Sequence, residues 1–224
     1  MSHPPIPRII YIVTAAAILT TACARSSGKP AFTPTESSLC ITSEGTVTAA
    51  TIETYDKNND RYTAGELRTY TEEILEAFNS TFGRSAAGTQ TDTPPAAVTE
   101  CTLSDGTAKL LITFKDAASY QEFMSQYPDE ESEIQIKNIS VTDMSSASAD
   151  PDFSQTTFRS PSSDGKTASA EDLKKKTKLT VARIEGPALI ETDASIQYIS
   201  DGVTVTGDRR ARTPDDGVSY IIFK

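Results

Sequence analysis

The stretch VTECTLSDGTAKLLITFKDAASYQEFMSQY, residues 98–127, sets the fold class. Its first part holds two runs, residues 98–103 and 108–114, rich in Val, Thr, Leu, Ile and Phe around Ser104-Asp105-Gly106. Side chains of these types suit a pleated strand, and Ser104-Asp105-Gly106 suits the turn of a hairpin. Then the period changes. Asp116 is placed to cap a helix in which Tyr120, Phe123, Met124 and Tyr127 recur at steps of three and four, and Pro128 stops it. A hairpin running straight into a short amphipathic helix predicts an α+β fold.

The upstream chain shares that plan only loosely, and no internal repeat is convincing. Residues 39–41 and 46–54 read as strands joined through Ser43-Glu44-Gly45. A long helix follows, with Leu67, Tyr70, Thr71, Ile74, Leu75, Phe78 and Phe82 on one face. Thr63-Ala-Gly-Glu66 is a capping box: the Thr63 hydroxyl takes the amide of Glu66, whose carboxylate reaches back. Tyr62 and Leu67 are spaced as its hydrophobic staple. Residues 83–97 carry no apolar period and read as a loop. Downstream, residues 134–141 alternate as a strand. Residues 145–169, full of Ser, Asp and Pro, read as a linker or long loop. Residues 170–176 suggest a short helix with a basic end. Strands then follow at 179–184, 188–191, 195–199, 202–206 and 218–223. The expected division is an α+β domain over residues 39–144, made of antiparallel hairpins packed with one long and one short helix, and a β-rich C-terminal region over 170–224.

The N-terminus speaks to location. Residues 9–23, IIYIVTAAAILTTAC, form an apolar run with Arg8 in front and small residues before Cys23. A positive start, a short apolar stretch and a small-residue cut are the parts of an export signal. A membrane span needs about 20 apolar residues, so this run is too short to remain as one. Residues 1–22 resemble a bacterial lipoprotein signal peptide, which implies Cys23 as the lipidation site, and residues 23–38, rich in Ser, Thr and Pro, read as a flexible tether. Thr20 stands where such signals usually carry Leu, and an ordinary cut after Ala24 is the competing reading.

Charge narrows the partners. The chain carries a formal −10. Arg8 is the only charged side chain among residues 1–22, so losing them leaves −11. An acidic domain is repelled by phosphate backbones, which argues against nucleic acid. Membrane attachment then falls to the lipid. Of three cysteines, Cys40 and Cys101 remain as the candidate disulfide pair, which export permits; two buried thiols are the alternative.

Candidate sites are weak. Asp56, Asn58 and Asp60 imitate the start of a calcium loop, but Arg61 replaces the glycine and Leu67 sits where the bidentate Glu belongs. Asp129-Glu130-Glu131 with Glu133, and Asp215-Asp216, read as solvated acidic turns. Lys174-Lys175-Lys176 with Lys178, and Arg209-Arg210 with Arg212, read as solubilising charges at strand edges, docking on an acidic partner being the sharper alternative. His3, the only histidine, lies in the signal, so Ser-His and Cys-His mechanisms lack a part. No phosphate-binding, dinucleotide or nucleophile-elbow motif is present. The expectation is no enzyme, no catalytic residues, no cofactor and no metal.

The signal, the YDKNNDRYTAGEL approach to the long helix, the CTLSDGTAKLLITFKDAASYQEF hairpin-helix and the closing DGVTVTG and YIIFK together resemble an uncharacterised family of bacterial lipoproteins from anaerobic Gram-positive species. The resemblance covers most of the chain after the signal. It implies a cell-surface lipoprotein and brings no activity or site residues. The functional expectation is a lipid-anchored extracytoplasmic module, non-catalytic, binding an envelope protein or ligand. The alternative is a secreted protein binding a small ligand or cation.

Overall fold

A computed structural model describes residues 31–56, 63–85, 93–129, 132–162 and 165–224. The segment carrying Cys23, and residues 57–62 with most of the calcium-loop imitation and Tyr62 of the staple, lie outside the described residues.

The fold opens with β1 (Ser38–Ile41), which pairs antiparallel with β2 (Val47–Thr54). Helix α1 follows at Ala64–Ser85. Its capping box forms as spaced: Glu66 N donates to Thr63 Oγ1 at 3.1 Å, and Thr63 N donates to the Glu66 carboxylate at 2.8 Å. One residue of its apolar face departs: Tyr70 is 64% exposed, while Leu75 and Phe78 are buried. Strands β3 (Ala96–Ser104) and β4 (Thr107–Phe114) form the expected hairpin. Asp105 and Gly106 take φ of 54° and 79°, the pair of positive angles that matches the turn to the strands' twist. Asp116 caps α2 (Ala117–Gln126) by accepting from Ser119 N.

The next strand, β5, covers Asn138–Asp143, later than the alternation of residues 134–141 suggests. Gln135 N donates instead to Pro187 O, and Gly186 passes so close that a Cβ there would meet Gln135 O at 2.3 Å. Residues 145–169 are not a linker. They supply α3 (Met144–Ala147) in part, α4 (Pro151–Gln155), β6 (Thr157–Arg159) and β7 (Thr167–Ser169). Phe153 and Phe158, buried and 4.8 Å apart at their ring centroids, give this polar segment its core contact. Helix α5 (Ala170–Leu173) leads into β8 (Thr180–Glu185), β9 (Leu189–Thr192), β10 (Ile196–Ser200), β11 (Thr204–Gly207), β12 (Arg210–Arg212) and β13 (Val218–Phe223).

These strands build two sheets. The larger runs β11-β12-β9-β1-β2-β4-β3 and the smaller β5-β8-β13-β10-β6-β7. Five helices and thirteen strands among the described residues make an α+β fold with a β-rich C-terminal part. The two-part division fails, because the C-terminal strands go to both sheets: β9 lies parallel beside β1, and β8 pairs with β5. Alternation along β13 shows why. Ile221 and Phe223 enter the main core between the sheets, while Tyr220 and Ile222 enter a second core under α3, α4 and α5. A sheet covered on both faces needs apolar side chains at every position, which is what YIIF supplies. Among the described residues no helix is long and apolar enough to cross a membrane.

Candidate functional site

Three polar clusters stand out from these cores. The first lies under the short helices. Arg183 Nε sits 3.4 Å from Asp150 Oδ2, and its Nη2 lies 3.7 Å from Asp152. The Tyr220 hydroxyl donates to Asp150 Oδ2 at 3.0 Å, and Asp150 also caps α4. Burial, helped by the Asp150 carboxylate beside it, pushes the Tyr220 phenol up to about 12. One carboxylate thus fastens a helix start, an arginine and a tyrosine from three elements. The phenol stays protonated, a donor rather than a base.

The second cluster lies on the outer face of the large sheet. Alternation puts Arg210, Arg212, Glu191 and Cys40 there, opposite Ala211, Ile190 and Ile41 of the core. Glu36, just before β1, receives Arg210 Nη2 at 2.9 Å and Arg212 Nη2 at 3.2 Å. Beside it Ser37 Oγ both donates to Ile52 O and accepts from Ile52 N. The tether expected over 23–38 is therefore bound to the sheet in its last residues. The arginines are not edge charges: β12 lies between β11 and β9, and Arg209 pairs with Glu191 at 3.2 Å. Asp193, nearly buried, accepts from Ser43 N and Oγ, both at 3.0 Å.

Cys40 sits among these groups. Burial, then the Glu191 and Asp193 carboxylates, push its thiol up to about 12, so it is no thiolate nucleophile near neutral pH. The disulfide is not formed, and both Cys40 and Cys101 are free thiols. Strands β1 and β3 stand three places apart in the sheet, about 14 Å, whereas a bridge needs Cα atoms within about 7 Å. The side chains also diverge. Cys40 faces outward, while Cys101 Sγ lies inward, 3.5 Å from Ala64 O of α1.

The third cluster is the lysine run. Lys174, Lys175, Lys176 and Lys178 are all exposed between the buried Leu173 and Leu179. Of the acidic turns, Asp129, Glu133, Asp215 and Asp216 are exposed and Glu130 and Glu131 lie outside the described residues. Among the described residues no three or more His, Cys, Asp or Glu side chains gather as metal ligands. An open depression of about 350 Å3 is lined by Ser160, Ser162, Gln197, Val205 and Asp208. Its polar groups are engaged within the fold: Gln197 Nε2 donates to Ser195 O, and Asp208 Oδ2 accepts from Ser195 Oγ. Glu36, Asp150, Arg183, Tyr220 and Asp193 carried no sequence signal, because their partners lie far away in the chain.

Comparison of the chain with protein-family models, with curated proteins and with solved structures gives no match.

Proposed function

We propose that this protein is a lipid-anchored module on the extracytoplasmic face of a bacterial membrane, and that it binds an envelope partner rather than catalysing a reaction. The observation that carries the reading is the segment of residues 9–23: a short apolar run with Arg8 before it and Thr21-Ala22-Cys23 at its end. The Cys23 thiol, losing its proton, displaces the phosphate headgroup of a membrane phospholipid to form a thioether to its diacylglyceryl group, and water then cleaves the peptide bond before Cys23. The resemblance to Gram-positive lipoproteins belongs with this reading. So does the fold: among the described residues its cores draw on Leu39 to Phe223, with Glu36 and Ser37 fastened outside them.

The test is the intact mass of protein extracted from membranes. A chain starting at Cys23 and carrying acyl groups is expected, and Cys23→Ala should abolish the acylation. An unlipidated chain starting at Arg25 and found in the medium overturns the anchor.

A further inference from the structure

We propose that the lysine run of residues 174–178 is a docking site for a linear polyphosphate chain, the local excess of lysine outweighing there the overall acidity that argues against nucleic acid. The inference names a partner chemistry for the binding module but does not depend on the anchor. Residues 170–178 hold four lysines against Glu171 and Asp172, a formal +2, so the rest of the chain carries −12 of the total −10. This is a basic knuckle on an acidic body.

The fold presents the knuckle as a fixed surface. Lys174 N donates to Ala170 O, Lys176 N to Leu173 O and Leu179 N to Lys176 O, so successive turns set the backbone. Leu173, fully buried, and Leu179, 7% exposed, pin both ends to the second core. Of the two acidic side chains, Asp172 is held at the start of α5, while Glu171 takes up one lysine of the run. Asp172 completes a capping box with Ser169, and Glu171 pairs with Lys174 at 3.0 Å. Lys176 lies over the Tyr198 ring at 5.0 Å from the centroid and donates to its hydroxyl at 2.9 Å, which fixes the position of the ammonium. Lys178, and Lys175 whose charge reaches the Asp172 carboxylate, form no close ion pair among the described residues and leave their ammonium groups open to a ligand.

The partner is a polymer rather than a bilayer, for an electrostatic reason. A flat anionic surface would face much of the acidic body as well as the lysines. A linear chain can follow the knuckle alone, and each phosphate it brings releases condensed counterions.

The experiment uses the full chain in detergent with fluorescent long-chain inorganic polyphosphate as probe, followed by anisotropy. Binding should be visible at about 50 mM salt and weaken about tenfold or more by about 200 mM. The variant with Lys174, Lys175, Lys176 and Lys178 all changed to Gln should lose about tenfold or more in affinity while keeping a cooperative melting transition, since all four side chains are exposed and the surface contacts of Lys174 and Lys176 contribute little. Changing Lys109 and Lys137 to Gln should leave affinity within about twofold, as neither belongs to the knuckle. No binding by the native chain, an unaffected quadruple variant, or binding to phosphatidylglycerol vesicles without binding to polyphosphate overturns the proposal. The mass test of Cys23 reads the anchor separately.

Discussion

The side-chain amide of Asn79 on α1 and the backbone of Ala96 on β3 exchange two hydrogen bonds: Asn79 Nδ2 donates to Ala96 O at 2.8 Å, and Ala96 N donates to Asn79 Oδ1 at 2.9 Å. β3 is an edge strand of the large sheet, and the amide stands in for the missing neighbour. The small sheet repeats the device at its β5 edge, where Gln121 of α2 accepts from Ile139 N at 3.3 Å. Both edges on the helical side are thus stopped by helix side chains.

Asn79→Ala should destabilise the domain by about 1–3 kcal/mol, because it leaves a half-buried donor and acceptor unpaired. Chemical denaturation reads this. A loss below a few tenths of a kcal/mol would show that water replaces the amide at no cost.

Thr63→Ala should cost about 1 kcal/mol through the lost cap. The box also carries a pH signature. Hydrogen bonds from Thr63 hold the Glu66 carboxyl below its ordinary value. The folded value is the lower one, so the contribution is present above the unfolded value and fades as pH falls through the folded one. The stability gap between the native chain and Glu66→Gln should therefore close on acidification. A gap that stays constant from neutral pH into the acid range would remove the cap from the account.

Reductant should leave the mass of the folded chain unchanged, and thiol reagent should reach Cys40 only on unfolding. The reason is geometric: Cys40 and Cys101 face opposite sides of the sheet. A gain of about two daltons on reduction, one for each thiol hydrogen formed, would mean the strand order is wrong.

Tyr220→Phe removes the hydroxyl from Asp150 and should cost about 1 kcal/mol at neutral pH. The phenol's folded value, pushed up to about 12, lies above its ordinary one. Its contribution is therefore complete below the unfolded value and lost as pH rises through the folded one. Ultraviolet titration should show one fewer late-ionising tyrosine in the variant. Tyr120, whose phenol burial also pushes up, should remain late.

Gly186→Ala should be severe. At φ +106° a side chain is strained, and its Cβ would meet Gln135 O. A loss of about 1–3 kcal/mol from backbone conformation alone is expected, with the clash added to it. A melting temperature equal to the native one would mean the chain crossing at Gln135 is looser than described.

Local features were legible because local physics makes them. The Asp105-Gly106 hairpin, the Thr63–Glu66 box, the Asp116 cap and the strand of Val218–Phe223 each depend on residues a few places apart. Tyr70 misled because helical spacing gives a face but not its width: the buried stripe narrows to Thr71, Leu75 and Phe78. Residues 145–169 misled because composition averages away two phenylalanines that anchor the segment from below. Of the candidate sites, the lysine run was visible as a charge cluster, but its rigid mounting on Leu173, Leu179 and Tyr198 was not.

By itself the sequence determined hairpins, helices, caps and the α+β class, since those follow from periodicity and neighbouring side chains. It left open which strands meet. The parallel seating of β9 beside β1, the arginines of β12 closing on Glu36, the carboxylate of Asp150 joining Arg183 to Tyr220, and the separation of the two cysteines were decided by tertiary structure alone. Each joins residues far apart in the chain. Such contacts form only where two covered sheets bury enough apolar surface to offset the entropy of bringing them together.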